Sequence, residues 1–327
     1  MNLINSPNRI LIIQLKRAGD IIVTIPLLPA LRAALPEAEI DVLVDQPFAP
    51  LLENNPYIHQ IRVYDRHAVW ATWRSLHAAS YDWILDFQSS PRSIFAGFFS
   101  GARLRVGYKV TFWGWFFNRS IKRPGHGVSV TEGKMQLVRS VLPGLGQAGE
   151  RQIYLTDSER QWAKSQMEEG NDKQGAVGLI PTHRRSSRRW SAASFSELAR
   201  RLISQGRPVW LFWGPGEEDY VAAIQRQAVG SRMIPSTTLR QMAALLARCQ
   251  AVVTNDNGPM HLAEAVGAPT VTLYGPTDPM SWNAGGPTHQ VLQASNLPCL
   301  GCNLNECPFG HECMTQITPE RVLAELR

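Results

Sequence analysis

A phosphate site is written into the run from Val252 to Pro279, VVTNDNGPMHLAEAVGAPTVTLYGPTDP. A short apolar strand breaks at Asn255-Asp256-Asn257-Gly258 and resumes as a helix from about Pro259, a residue suited to a first helical position. Asp256, Asn257 and Gly258 then stand where a helix presents unpaired N–H groups and the positive end of its dipole, which takes phosphate. The plainer role for the same residues is to cap the helix. His261 follows one turn later. A second strand, Thr270 to Tyr274, ends in Gly275-Pro276-Thr277-Asp278-Pro279. The two turns are expected side by side at the carboxyl ends of neighbouring parallel strands, where open α/β sheets bind ligands.

Three other groups carry chemistry. His183 to Trp190, HRRSSRRW, sets five basic residues in one turn after an apolar strand, a charge density that calls for an anion or for full solvation. Asp20, at the end of the first strand and the start of the first helix, is a carboxylate kept ionised by a helix amino terminus. It is either a cap or a weak general base. Cys299, Cys302, Cys307 and Cys313 form C-x2-C-x4-C-x5-C, with Pro298, Gly301 and Pro308 as turn formers. Four thiolates at this spacing could hold zinc, or iron by the same ligand logic, in a structural role; reduced thiols and disulfides are the alternatives.

Taken together, these motifs resemble the ADP-heptose glycosyltransferases, bacterial enzymes of the lipopolysaccharide inner core. That family carries Asp-Ser/Thr-Gly-x-x-His followed by a Leu-Tyr-Gly-Pro-Thr-like run, matched here by Asp256-Asn257-Gly258-Pro259-Met260-His261 and Leu273 to Thr277. Asn257 departs from the pattern, which has a hydroxyl there. The backbone N–H survives that change; a side-chain contact to phosphate need not. Gly19-Asp20-Ile21 with Thr24-x-Pro26 is similar to the family's first-helix pattern, and the resemblance makes Asp20 the base, with Lys16, Arg17 and Gly19 beside an anionic acceptor.

By the same resemblance, Arg188 falls on the cation of a Lys/Arg-x-Trp pattern ending at Trp190 and lies near the donor diphosphate, while Glu217 or Glu218 meets the ribose. Met242 lines either an adenine pocket or the core. Asp86 to Ser93, DFQSSPRS, is similar to the turn that faces the acceptor, with Ser89, Ser90 and Arg92 as contacts. Some members also carry a Cys-rich run ending like Cys313-Met314-Thr315-Gln316-Ile317-Thr318-Pro319-Glu320. The implied reaction is inverting transfer of heptose from ADP-heptose to a lipid-linked core acceptor, with no metal at the reaction centre; a relative using another nucleotide sugar is the alternative.

Those residues need a scaffold of alternating strands and helices, and the pattern supplies it twice. Arg9 to Leu15, Ile40 to Val44, Gln60 to Tyr64 and Trp83 to Phe87 have strand character; Ile21 to Leu35, kinked by Pro26 and Pro29, and Trp70 to Ala79 have helical spacing. After glycine-rich Gly144 to Gly149 the alternation restarts: helix Ser158 to Glu169, strand Ala176 to Ile180, helix Ser194 to Ser204, strand Pro208 to Trp213, then helices Glu218 to Gln227 and Leu239 to Arg248. A terminal helix spans Pro319 to Leu326. Two Rossmann-like doubly wound domains, 1–160 for the acceptor and 161–327 for the ADP-sugar, would be the GT-B arrangement that the resemblance implies, the two halves facing across a cleft. Gly144 to Gly149 matches G-x-G-x-x-G in the wrong context, after a helix and before a strand; there is no P-loop and no D-x-D pair.

Composition narrows the partners. The chain has 327 residues, 44% of them hydrophobic, and a net charge of +6. That charge favours an anionic partner, but no nucleic-acid motif accompanies it. No apolar run approaches a bilayer span and the amino terminus lacks signal-peptide features, so a cytoplasmic protein is expected. Arg103 to His126 interleaves six Lys/Arg with Phe112, Trp113, Trp115, Phe116 and Phe117, which suits either burial of the rings or peripheral contact with the inner face of the cytoplasmic membrane.

Overall fold

Strand β1 (Arg9–Ile13) is a run of four aliphatic side chains after one arginine, and in the computed structural model, which describes residues 6–125, 127–170, 172 and 175–326, all four are fully buried. Such a strand belongs at the centre of a parallel sheet covered on both faces. It pairs in parallel with β2 (Glu39–Asp45) on one side and β4 (Trp83–Asp86) on the other. With β3 (Gln60–Tyr64), β5 (Leu104–Tyr108) and β6 (Arg119–Ile121) the order is β3-β2-β1-β4-β5-β6, every pairing parallel.

The chain divides after Tyr154 into two compact units. The second contains β7 (Val177–Ile180), β8 (Val209–Leu211), β9 (Arg232–Met233), β10 (Ala251–Asn255), β11 (Thr270–Tyr274) and β12 (His289–Gln293), ordered β12-β11-β10-β7-β8-β9 and again all parallel. Counted from its own first strand, this is the order of the first unit. Both sheets are therefore doubly wound, with the chain reversing direction across the sheet between β1 and β4 and between β7 and β10.

Boundaries differ from the sequence reading where proline or edge position intervenes. The first helix is two: Ala18–Ile22, then Leu27–Ala34. Pro26 takes the cap of the second, and Pro29 sits in its first turn, where a missing N–H costs nothing. Strands β5 and β6, the helix Pro91–Phe99, the helix Val130–Arg139 and the edge strand β12 go beyond the alternation recognised in sequence. The expected polar linker at 170–175 falls partly outside the described residues. At the tail, a Cβ on Gly275 would stand 2.5 Å from Met314 Sδ and 3.2 Å from Cys313 Sγ, so the turn after β11 needs glycine for the Cys-rich segment to pack against it.

Candidate active site

In the second unit the candidate residues collect where the sheet reverses. Asn255 ends β10 fully buried; its Oδ1 accepts from the Trp190 N–H at 2.9 Å, and its Nδ2 donates to the Pro181 carbonyl at 3.0 Å. One side chain thereby ties the turn after β7 to the turn after β10. Beside it, Arg188 donates through Nη1 to Asp256 Oδ2 at 3.0 Å, and its Nη2 donates to Asn303 Oδ1 at 2.5 Å. The Arg188 and Asp256 side chains are 15% and 6% exposed, so a cation and an anion share a largely dry pocket; an anionic ligand arriving there meets an arginine already held in place.

Asn257 is the amino cap of the helix Gly258–Ala265: its Oδ1 accepts from the Met260 N–H at 2.9 Å and from Thr254 Oγ1 at 3.2 Å, and its Nδ2 donates to the Thr182 carbonyl at 3.0 Å. The side chain that replaces the family hydroxyl is thus committed within the protein. Pro259 has no N–H and that of Met260 is taken, so the donor at the head of this helix is the Gly258 amide. His261 lies inward, 3% exposed, its Nδ1 3.2 Å from Glu264 Oε2, and Glu264 Oε1 in turn accepts from the Ala284 N–H at 3.1 Å. In the turn after β11, Thr277 is buried and its hydroxyl has no partner among the described residues, the state of a group placed to meet a ligand or a water.

The other donor candidates separate by burial. Trp190 is a core residue: its Nε1 donates to the Ile317 carbonyl at 2.8 Å and its ring packs edge-on against Phe195. Met242 is buried too. Glu217 is half-buried and folds back over the turn after β8, Oε2 accepting from the Gly214 N–H at 2.9 Å, whereas Glu218 is exposed at the first position of the helix Glu218–Gln227.

In the first unit the reversal point holds Lys16, Arg17, Gly19 and Asp20 after β1 and Asp86 to Arg92 after β4. Lys16 and Arg17 are exposed, Gly19 buried and Asp20 half-buried, its Oδ2 3.4 Å from the Arg17 N–H. Beneath it lies a buried cation. Lys134, from the helix Val130–Arg139, donates to Asp20 O and Thr24 Oγ1, both at 2.6 Å, and to Gln14 Oε1 at 3.1 Å. Burial pushes this ammonium down to about 7, the Asp20 carboxylate opposing the shift and Arg123 and Arg151 adding to it.

Asp86 is as deep. Its Oδ1 accepts from the Gln88 and Ser89 N–H groups, and burial nevertheless raises its carboxyl to about 7. Ser89 and Ser90 are engaged internally: Ser89 Oγ donates to the Asp86 carbonyl at 3.1 Å and accepts from the Tyr108 N–H at 2.8 Å, while Ser90 caps the helix Pro91–Phe99. Arg92 lies 3.7 Å from Asp45 Oδ2 and over the Tyr64 ring, leaving its 37%-exposed side chain the most accessible of the three.

The four cysteines meet around one cavity of about 110 Å³, together with Ser187, Leu304 and His311. Cys313 is buried, and burial with its three sulfur neighbours pushes its thiol up to about 11. All five cysteines are free, and among the described residues no three His, Cys, Asp or Glu side chains stand ready to hold a metal ion. The thiols converge but do not form a ligand set in this arrangement, so a metal would require the loop to draw them together. The same loop buttresses the basic turn: Ser187 Oγ donates to the Leu304 carbonyl at 2.8 Å and His311 Nε2 meets the Ser187 carbonyl at 2.5 Å.

Asn303, Thr182 and Lys134 escaped the sequence reading. Thr182 lies just past the end of a parallel strand, a position that alone marks it. Asn303 is hidden among the cysteines and has no local signal; Lys134 is a lone cation on the face of its helix that also buries Met135, Leu137 and Val138.

Two doubly wound parallel sheets, each gathering polar groups at its reversal point, define the GT-B class of glycosyltransferase. The model of glycosyltransferase family 9 (heptosyltransferase) matches residues 69–312, and the chain belongs to that family. It is 27% identical over 357 aligned positions to lipopolysaccharide heptosyltransferase 1 of Pseudomonas aeruginosa, covering 97% of each chain. The solved ADP-heptose lps heptosyltransferase II of E. coli superposes with a TM-score of 0.81 at 26% identity, covering 97% of each chain. A family 9 glycosyl transferase from Veillonella parvula superposes with a TM-score of 0.86 at 21% identity, over 99% of this chain and 97% of that one.

Proposed function

We propose that this enzyme, a heptosyltransferase of lipopolysaccharide core synthesis, takes heptose from ADP-heptose and passes it with inversion to a hydroxyl of a lipid-linked core acceptor on the cytoplasmic side. The acceptor oxygen bonds to the anomeric carbon as the bond from that carbon to the ADP oxygen breaks. The hydroxyl proton passes to Asp20, and ADP leaves with the bonding pair. Charge developing on the diphosphate falls to Arg188 and the Gly258 amide, with the Thr277 hydroxyl as a further contact and Glu217 on the ribose. The first unit is the acceptor side, with Lys16, Arg17 and Arg92 as its exposed cations; the second is the donor side.

The observation that carries this reading is the Arg188–Asp256 contact, which unites two segments 68 residues apart that sequence alone had assigned to one diphosphate. ADP-heptose as donor is further supported by the name of the E. coli relative, and the dry setting of Arg188 favours an arginine over a divalent ion as the diphosphate's counter-charge. A structural zinc or iron at the cysteine cavity belongs to the same proposal, supported by four converging thiols; metal analysis of the purified protein, reading one ion per chain or none, decides it. Asp20→Asn tests the chemistry: transfer is expected to fall about 10²- to 10⁴-fold with ADP affinity unchanged. Retained transfer would remove Asp20 from the reaction.

A further inference from the structure

Eight aromatic rings of the first unit form one continuous surface drawn from three separate stretches. Trp70 and Trp73 come from the helix Val69–Ala78, Phe95, Phe98 and Phe99 from the helix Pro91–Phe99, and Trp113, Trp115 and Phe116 from the segment between β5 and β6. Adjacent rings lie in contact: Trp73 stacks on Phe99 with centroids 4.2 Å apart, Phe95 meets Trp113 at 5.3 Å, Phe98 meets Phe116 at 4.8 Å, and Trp115 stacks on Phe116 at 3.8 Å. Phe116 is buried beneath, but Trp70 and Trp115 are 75% and 73% exposed, and Phe112 in the same segment is 79% exposed. Core packing therefore accounts for part of the cluster and leaves its outer rings in water. A contiguous patch of this kind needs an occupant.

Charge identifies it. From Arg66 to Arg123 the sequence has nine Lys/Arg and two acids, Asp82 and Asp86. Asp86 is buried and Asp82 accepts from the Asn8 and Arg9 N–H groups, so the exposed charge of this stretch is cationic. Arg105 lies over the Phe98 ring at 5.5 Å, inside the patch itself. Tryptophan and phenylalanine flanked by arginine and lysine match the headgroup region of an anionic bilayer, where rings enter the interface and cations meet lipid phosphates.

We infer that this three-part aromatic surface seats the first unit on an anionic lipid leaflet, with Trp70, Phe112 and Trp115 as the inserting side chains. The inference deepens the proposed use of a lipid-linked acceptor and rests on it for its biological purpose, but the binding itself requires no sugar chemistry.

The test is co-sedimentation of the full chain with phosphatidylglycerol vesicles and with phosphatidylcholine vesicles, alongside tryptophan quenching by brominated lipid. Wild type is expected on phosphatidylglycerol, with quenching, and not on phosphatidylcholine. The triple variant Trp70→Ser, Phe112→Ser, Trp115→Ser is expected to lose at least about tenfold in vesicle affinity. Its melting temperature and its transfer to a de-acylated soluble acceptor should be unchanged, because all three side chains are solvent-exposed. Equal binding by wild type and variant, equal binding to both lipids, or a wild-type dimer that the triple variant dissociates would overturn the inference. Vesicle binding without any transfer to the soluble acceptor would instead count against the proposed reaction and leave the surface intact.

Discussion

Two buried titratable side chains flank the candidate acceptor site, and their linkage has opposite signs. Asp86 is raised to about 7 by burial, so between the ordinary carboxylate range and pH 7 the native state holds a proton that the unfolded chain lacks. Stability from this group falls as pH rises through that window, and the loss is complete above 7. Asp86→Asn keeps an acceptor for the Gln88 and Ser89 N–H groups and carries no charge. It should melt higher than wild type at pH 8, by up to a few kcal/mol in stability, and equal to it below pH 4. Lys134 is lowered to about 7, so between 7 and 10.5 the unfolded chain binds the extra proton and stability rises with pH. Urea denaturation of Lys134→Met should show a slope against pH between 7.5 and 9.5 smaller by about 1.4 kcal/mol per unit. A variant with the wild-type slope would place the proton elsewhere.

Turns at the ends of β1, β4, β7 and β10 carry the candidate residues, and their positions were legible because strand-turn-helix segments have local signals: an apolar run, then Gly, Asn or Asp, then helical spacing. The helix starting near Pro259 and the strand Thr270 to Tyr274 were found that way. Strands β5 and β6 were obscured because the cations and aromatics around them do not alternate as half-buried strands do. Burial of Ser89 and Trp190 was invisible for another reason: each is fixed by a partner distant in sequence, Tyr108 and Ile317. Asn303 belongs to the same group, linking the Cys-rich loop to Arg188 across 115 residues. Its replacement in Asn303→Ala should weaken ADP binding about tenfold, the worth of one hydrogen bond to a charged group, with melting little changed. Titration calorimetry reads this directly, and unaltered ADP affinity would mean that Arg188 needs no such support.

At the scale of the molecule, one strand order occurs twice in a chain of family 9, and in both copies the candidate residues sit at the reversal point. The repetition was visible in sequence as alternation broken near Gly144 to Gly149; the order of strands was not, because pairing between distant strands leaves no local trace. The central claim is that the second unit holds an adenine diphosphate sugar through Arg188 and backbone amides without a divalent ion. Thermal shifts with ADP, UDP and GDP in the presence of EDTA test it most directly. ADP should raise the melting temperature of wild type while UDP and GDP do not, and Arg188→Ala should lose the ADP shift. Equal shifts for the three nucleotides, or an ADP shift that appears only with magnesium, would contradict it.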